Sequence, residues 1–149
     1  MFKPRKVLVP MDFSEDSNQA FRIALSIADK YQSRVFLLHV ISGVVLEYVA
    51  DYCIDQSLVD RVLNESIVFS NEKLREAIDK NQHVGNIKVI LNVRRGHPYE
   101  EILKEVSERE IDLIVIASHG KTGLRQYFIG SVAEKVMKEA KCPVLLIRS

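Results

Sequence analysis

Two short segments carry residue types suited to holding a polar, charged small molecule. The first is Pro10-Met11-Asp12-Phe13-Ser14, which follows a brief apolar run. The Asp12 carboxylate is well suited to accept a hydrogen bond from a ribose hydroxyl or an adenine amino group, and it is a poor neighbour for phosphate. A strand-end aspartate that merely opens the turn into a helix fits the same residues equally well. The second segment runs from Ala117-Ser118-His119-Gly120-Lys121-Thr122-Gly123 through Leu124 and Ile129 to Gly130-Ser131. Its glycines allow close backbone approach to a ligand and φ > 0. Gly130-Ser131 opens a helix, whose free N–H groups and dipole make an anion site. Ser131 adds a hydroxyl, and Lys121 and Arg125 add charge. A flexible loop in which Ser131 caps the helix is the plainer alternative, and both stay open at this stage.

Several other chemistries are excluded. Gly120-Lys121-Thr122 resembles the end of a phosphate-binding P-loop, but that motif needs a glycine where this chain has Val115 in mid-strand. The four histidines, His39, His83, His97 and His119, form no metal site with their neighbours. His39 reads as packed or facing the crevice, His83 as solvated, and His97 as a helix cap. His119 adjoins the glycine-rich loop and reads as a hydrogen-bonding residue. Efficient hydrolysis of a nucleotide wants a base or water-positioning group beside the γ-phosphate and usually a carboxylate for Mg²⁺. Ser118 to Ser131 contains no acidic residue, and Glu134 lies one turn into the next helix, pointing away. No catalytic residue and no metal ligand is assigned.

Alternating short apolar runs and helical periodicity define the elements that position these segments. Lys6–Pro10 reads as the first strand. Ser14 caps the helix after it, with Glu15 and Asp16 in the first turn and Phe21, Ala24, Leu25 and Ala28 as its apolar stripe. Arg34–Val40 is the second strand. A long helix follows from about Asp55 to Lys80, and Ile41 to Ile54 forms an irregular stretch before it. Asn86–Val93 alternates apolar and mostly polar residues, as a half-exposed edge strand does. Pro98 starts the next helix. Ile111–Ala117 is the most continuously apolar strand. A helix from Ser131 to about Lys141 and a final strand, Val144–Ile147, complete the chain.

Strands alternating with helices imply an α/β fold with an open parallel five-stranded sheet covered on both faces. An edge-like third strand with apolar first and fourth strands suits the order 3-2-1-4-5. Ligands in such sheets bind beyond the C-terminal ends of the strands, where the winding reverses. That point lies between the first and fourth strands, which end at Asp12 and at the glycine-rich loop.

With 149 residues, 47% apolar and 28% charged, the chain reads as one domain, 1–149. A net charge of +1 gives no global electrostatic reason to bind nucleic acid or an anionic membrane. Cys53 and Cys142 form no CxxC pair, which fits structural thiols in a reducing compartment. The N-terminal apolar run is too short for a signal peptide and no stretch is long enough for a membrane span, so the expected location is cytoplasmic.

Taken together, the residues resemble the ATP-binding universal stress proteins. That family carries G-x2-G-x9-G-[ST] after its fourth strand, matched here by Ala117, Gly120, Gly130 and Ser131 with alanine in place of the first glycine. Pro10-x-Asp12-x-Ser14 after the first strand, Gly96-His97-Pro98 after the third and Cys142-Pro143 before the last extend the resemblance over the whole chain. It implies a Rossmann-like domain binding an adenine nucleotide, ATP with or without Mg²⁺. Adenine and ribose contacts would fall on Pro10, Asp12 and Val40, with Gly96 lining the same crevice. Phosphate contacts would fall on Gly120, Gly130, Ser131 and Val132, with His119 beside them.

The resemblance also implies a homodimer paired through Val144, Leu145, Leu146 and Ile147. An apolar strand without internal charge supports that, since such an edge is usually covered. The implied role is a stress-response regulator that signals through bound nucleotide, the dimer and an unidentified protein partner. A dimeric interaction module without nucleotide, or a slow ATPase, are the alternatives. An ATP pyrophosphatase or nucleotidyl transferase would need S-G-G-x-D or H-I-G-H, and neither is present. A receiver domain would need an aspartate where Val93, Arg94 and Arg95 stand, and a flavin phosphate loop would not follow the acidic first turn. Arg94 and Arg95 are read as solvated rather than as phosphate ligands.

Overall fold

The computed structural model describes residues 1–43, 47, 51–52, 55–81, 86–120 and 129–148. Cys53, His83, Lys121, Thr122, Gly123, Leu124 and Arg125 lie outside the described residues, as does most of the stretch after the second strand. The elements, in chain order, are β1 (Lys6–Pro10), α1 (Glu15–Tyr31), β2 (Arg34–Ser42), α2 (Gln56–Asp79), β3 (Val89–Gly96), α3 (Pro98–Arg109), β4 (Leu113–Ala117), α4 (Ser131–Glu139) and β5 (Val144–Ile147). The strands form one parallel sheet in the order β3-β2-β1-β4-β5.

Because side chains alternate across a strand, each central strand feeds two cores. Val7, Val9, Val35, Leu37, Leu113, Val115 and Ala117 face α1 and α2, where Phe21, Ala24 and Leu74 are fully buried. Leu8, Phe36, Leu38, Ile114 and Ile116 face α3 and α4, meeting Ile102, Ala133 and Val136. Burying one such large apolar side chain contributes about 2 kcal/mol.

The helix signals act as expected at most ends. The Ser14 hydroxyl accepts the Ser17 N–H at 3.1 Å, and Asp55 caps α2 by accepting the Ser57 N–H at 2.9 Å. Pro98 is the first residue of α3, and His97 occupies the cap position with no side-chain cap bond.

Several boundaries depart from the sequence reading: β2 runs two residues past Val40 and so takes Ile41 and Ser42 out of the expected irregular stretch, β4 starts at Leu113 rather than Ile111, α4 ends at Glu139 rather than near Lys141, and β3 is displaced furthest. β3 begins and ends three residues later than Asn86–Val93, because its ladder with β2 runs on to Ser42↔Gly96. Its polar side chains are not left to water either. Asn92 and Arg94 alternate with the apolar residues onto the α3 side, and there they meet carboxylates. The Arg94 Nε lies 2.6 Å from Glu105 Oε2, and its other nitrogens reach Glu101 and Glu108. Arg94 is therefore neither solvated nor available to a phosphate, whereas Arg95 is exposed as expected. Glu101, Glu105 and Glu108 recur at helical spacing beside the buried Ile102, a stripe that could have flagged the pairing.

Candidate functional site

β1 and β4 are adjacent while their chain neighbours lie on opposite sides, so the winding reverses between them. Both predicted segments leave the sheet here. Met11 extends β1 by one bond, its N–H donating to the Leu38 carbonyl at 2.7 Å, and the chain then turns through Asp12, Phe13 and Ser14. Phe13 sits at φ +66°, a left-handed conformation unusual for a bulky residue. Asp12 Oδ1 accepts the Ser14 N–H at 2.9 Å and the Ser14 hydroxyl at 2.5 Å. The turn-opening role is thus real, and it occupies one oxygen. The other oxygen faces the second segment: a Cβ placed on Gly120 would lie 2.5 Å from Asp12 Oδ2. Glycine at 120 is what lets the β4 loop pass this carboxylate.

The β4 loop is closed at its base. The Gly130 N–H donates to the Ser118 carbonyl at 2.7 Å, and the Ser118 N–H donates to the Ile147 carbonyl at 2.8 Å. A Cβ on Gly130 would approach Ser118 O to 3.2 Å. These bonds set the N-terminus of α4 beside the end of β4. Gly130, not Ser131, is the cap residue, and it makes no side-chain cap bond. Ser131 is the first helical residue, so its hydroxyl is not spent on the capping role. The first intrahelical bond here is Glu134 N–H to Gly130 O, 2.9 Å. The N–H groups of Ser131, Val132 and Ala133 therefore have no partner within the helix. The Gly130 N–H, by contrast, is already engaged.

His119 stands beside this terminus, its Nδ1 2.9 Å from the Ser118 hydroxyl. Its buried Nε2 has no hydrogen-bond partner among the described residues. Glu134 points outward to Lys138, at 2.7 Å, as the sequence reading expected. Ala117 is buried in the core on the α1 side, so its methyl is used in packing.

The remaining predicted residues are spread along the same end of the sheet. Pro10 closes β1 opposite Leu38, and Val40 on β2 lies opposite Arg94. Val40 and Val132 both pack at the edge of the α3–α4 core. Gly96 ends β3, two strands from β1, and no described contact joins it to Asp12 or Gly120. Its lack of a side chain is required locally, by φ +145° and by Glu101.

His39 is packed at the crevice, as the sequence reading expects, whereas Phe13, named there only as part of the first segment, is given no role by it. Their ring centroids are 4.4 Å apart, and His39 Nδ1 lies 2.7 Å from the Met11 carbonyl. Nothing local in the sequence signals a left-handed phenylalanine. No group of three or more metal-ligating side chains occurs among the described residues, and no described helix is long and apolar enough to cross a membrane.

A model of the universal stress protein family matches residues 3–148. The chain belongs to this family. The universal stress protein MJ0577 of Methanocaldococcus jannaschii is 32% identical to it, over 97% of this chain and 94% of that protein. The solved structure of MJ0577 superposes with a TM-score of 0.84 at 30% identity, covering 99% of this chain and 98% of that one. Two more distant universal stress proteins share the fold. One from Archaeoglobus fulgidus, solved in complex with dAMP, has a TM-score of 0.69 at 21% identity and covers 99% and 100% of the two chains. Another, solved in complex with cAMP, has a TM-score of 0.71 at 20% identity and covers 99% and 98%.

Proposed function

We propose that this universal stress protein binds an adenine nucleotide, ATP with or without Mg²⁺, in the crevice between the ends of β1 and β4. The observation that carries the reading is the convergence of Asp12 with the N-terminus of α4. One end of the crevice offers a carboxylate suited to a ribose hydroxyl or an exocyclic amine. The other offers the N–H groups of Ser131 and Val132, which have no partner within the helix and are suited to phosphate. Gly120 and Gly130 keep the path between them clear, and His119 adds a ring beside it. The relatives holding dAMP and cAMP support an adenine nucleotide as the common element.

Val40 suits the base. Along β2 the backbone groups of successive residues point alternately to the two neighbouring strands. The Val35 N–H bonds Lys88 on the β3 side, and the Leu38 carbonyl takes Met11 N–H on the β1 side. Val40 therefore directs its N–H and C=O to the β1 side beyond Pro10, where β1 has ended. A paired donor and acceptor match the N1 and N6 edge of adenine.

Thermal unfolding with and without millimolar Mg-ATP tests the site, with Gly130→Glu as control. Ligand at a hundredfold excess over its dissociation constant stabilises by about 2.7 kcal/mol. For this size of domain the melting temperature should rise by roughly 5–10 °C. The control should show no rise, since its side chain would meet Ser118 O and place a charge at the helix terminus. No rise in the parent protein, and no nucleotide released on denaturation, would leave the interaction-module reading in its place.

Ala117 does not stand against this reading, because its methyl belongs to the core. Ala117→Gly is expected to cost about 1 kcal/mol of stability. ATP affinity should change by less than about threefold, a difference of roughly 0.7 kcal/mol. A tenfold gain in affinity would show that the methyl crowds the ligand after all.

The biological role that fits is regulatory and stress-related, acting in the cytoplasm through nucleotide occupancy, a protein partner and a homodimer, with hydrolysis incidental. The dimer would pair the β5 edges across a two-fold axis. β5 bonds only β4 within the sheet, and Leu145 is 38% exposed on it. Light scattering at micromolar concentration should give twice the chain mass, and a monomer there rules this interface out.

A further inference from the structure

We propose that His39 terminates the β1–β2 ladder, and that this termination leaves the Val40 backbone edge open to the base. The inference rests on the nucleotide reading above and adds a positioning residue to it. In a parallel pair, one residue donates its N–H to the neighbouring strand and its C=O accepts an N–H two residues further along that strand. Met11 makes the first of these bonds, to the Leu38 carbonyl. A regular ladder would supply the second from Val40 N–H. Instead the Met11 carbonyl lies 2.7 Å from His39 Nδ1. A carbonyl only accepts, so Nδ1 carries the proton and takes the place that Val40 would fill.

The same ring turns the chain away. It packs against Phe13 at 4.4 Å, and Phe13 is held at φ +66°. Residues persist in such conformations only when surrounding contacts over-determine them. Here the constraints are the His39 contact, the Met11 bonds on either side of its peptide, and the Ser17 hydroxyl on Met11 Sδ at 3.0 Å. The chain leaves β2 directly after Met11, and Asp12 is aimed toward Gly120. One side chain thereby sets both nucleoside contacts, the Val40 edge and the Asp12 carboxylate. The contacts His39 makes with the Met11 carbonyl and the Phe13 ring lie at the nucleoside end of the crevice.

Titration calorimetry with ATP, GTP and inorganic tripolyphosphate tests this on the parent protein, His39→Ala and His39→Asn. His39→Ala should weaken ATP binding about tenfold and shrink the preference for ATP over GTP, with tripolyphosphate unchanged. The asparagine amide nitrogen can occupy the Nδ1 position, so His39→Asn should recover most of the loss. Equal losses for ATP and tripolyphosphate would mean a general loosening of the crevice and overturn the proposal, as would no loss for ATP.

Hydrogen exchange at the Val40 amide separates this from the nucleotide reading, because it needs no ligand. That amide should exchange readily in the parent protein and become protected in His39→Ala as the ladder closes on Met11. A Val40 amide already protected in the parent protein overturns the proposal whatever the nucleotide does. An exposed Val40 amide in a protein that binds no ATP would overturn the nucleotide reading and leave the ladder termination standing.

Discussion

Replacing Arg94 by alanine should lower the melting temperature by about 6–12 °C, corresponding to roughly 3 kcal/mol at about 2–4 °C per kcal/mol. The reason is Glu105, which is 0% exposed. Its Oε2 accepts from Arg94 Nε at 2.6 Å and from the Asn92 amide at 2.9 Å, and Arg109 Nε stands 3.4 Å from Oε1. Burial alone would lower the Arg94 pKa; the hydrogen bonds to Glu108 and Glu105 reverse that and hold it raised. Removing the guanidinium leaves a buried carboxylate with Arg109 as its nearest remaining cation, and an uncompensated buried charge is costly.

The double variant Arg94→Met with Glu105→Leu separates this account from a simple loss of packing. Replacing a buried ion pair by apolar groups of similar size is often neutral or stabilising. The double variant should therefore melt above Arg94→Ala. Chemical denaturation of both proteins gives the comparison directly. A single variant within 1 kcal/mol of the parent, on the order of an exposed pair, would show that Glu105 is better solvated or paired than its burial implies.

Gly96→Ala should cost about 2–3 kcal/mol, for two independent reasons. The residue adopts φ +145°, which disfavours any side chain, and an added Cβ would stand 2.9 Å from Glu101 Oε1 and 3.0 Å from its Cγ. The carboxyl end of Glu101 could swing aside, but its Cγ sits too near the backbone for that to relieve the contact. Moving Glu101 also disturbs its bonds to Lys104 at 2.8 Å and to Arg94 at 3.5 Å.

Gly43→Ala is the matched control. A Cβ there would meet the Gly96 backbone at 3.5 Å, an ordinary contact. It should shift stability by less than about 1 kcal/mol. Equal losses at the two glycines, by thermal or urea unfolding, would show that neither φ nor Glu101 is responsible. Because Glu101 joins the two sites, Gly96→Ala combined with Arg94→Ala should lose less than the sum of the single losses.

The sequence by itself determined the element order, the parallel sheet and the place where its winding reverses. Lys6–Pro10 and Val144–Ile147 lie where the apolar runs put them, and Ser14, Asp55 and Pro98 begin their helices as local chemistry requires. These are short-range properties: periodicity, caps and the fixed φ of proline act within one turn or one strand. The pairing of Asp12 with the β4 loop was legible for the same reason, since strand order alone brings those two ends together.

Tertiary structure decided how each group is used. Asp12 divides its oxygens between Ser14 and the approach to Gly120, and Gly130 takes the cap that Ser131 was a candidate for. Arg94 is drawn from solvent into a carboxylate cluster, Phe13 is turned left-handed, and His39 takes the carbonyl that a regular ladder would give to Val40. Each of these depends on a partner more than ten residues away in the chain or on a conformation that the local sequence does not favour. Such contacts exist only once the sheet has brought β1, β2, β3 and β4 side by side.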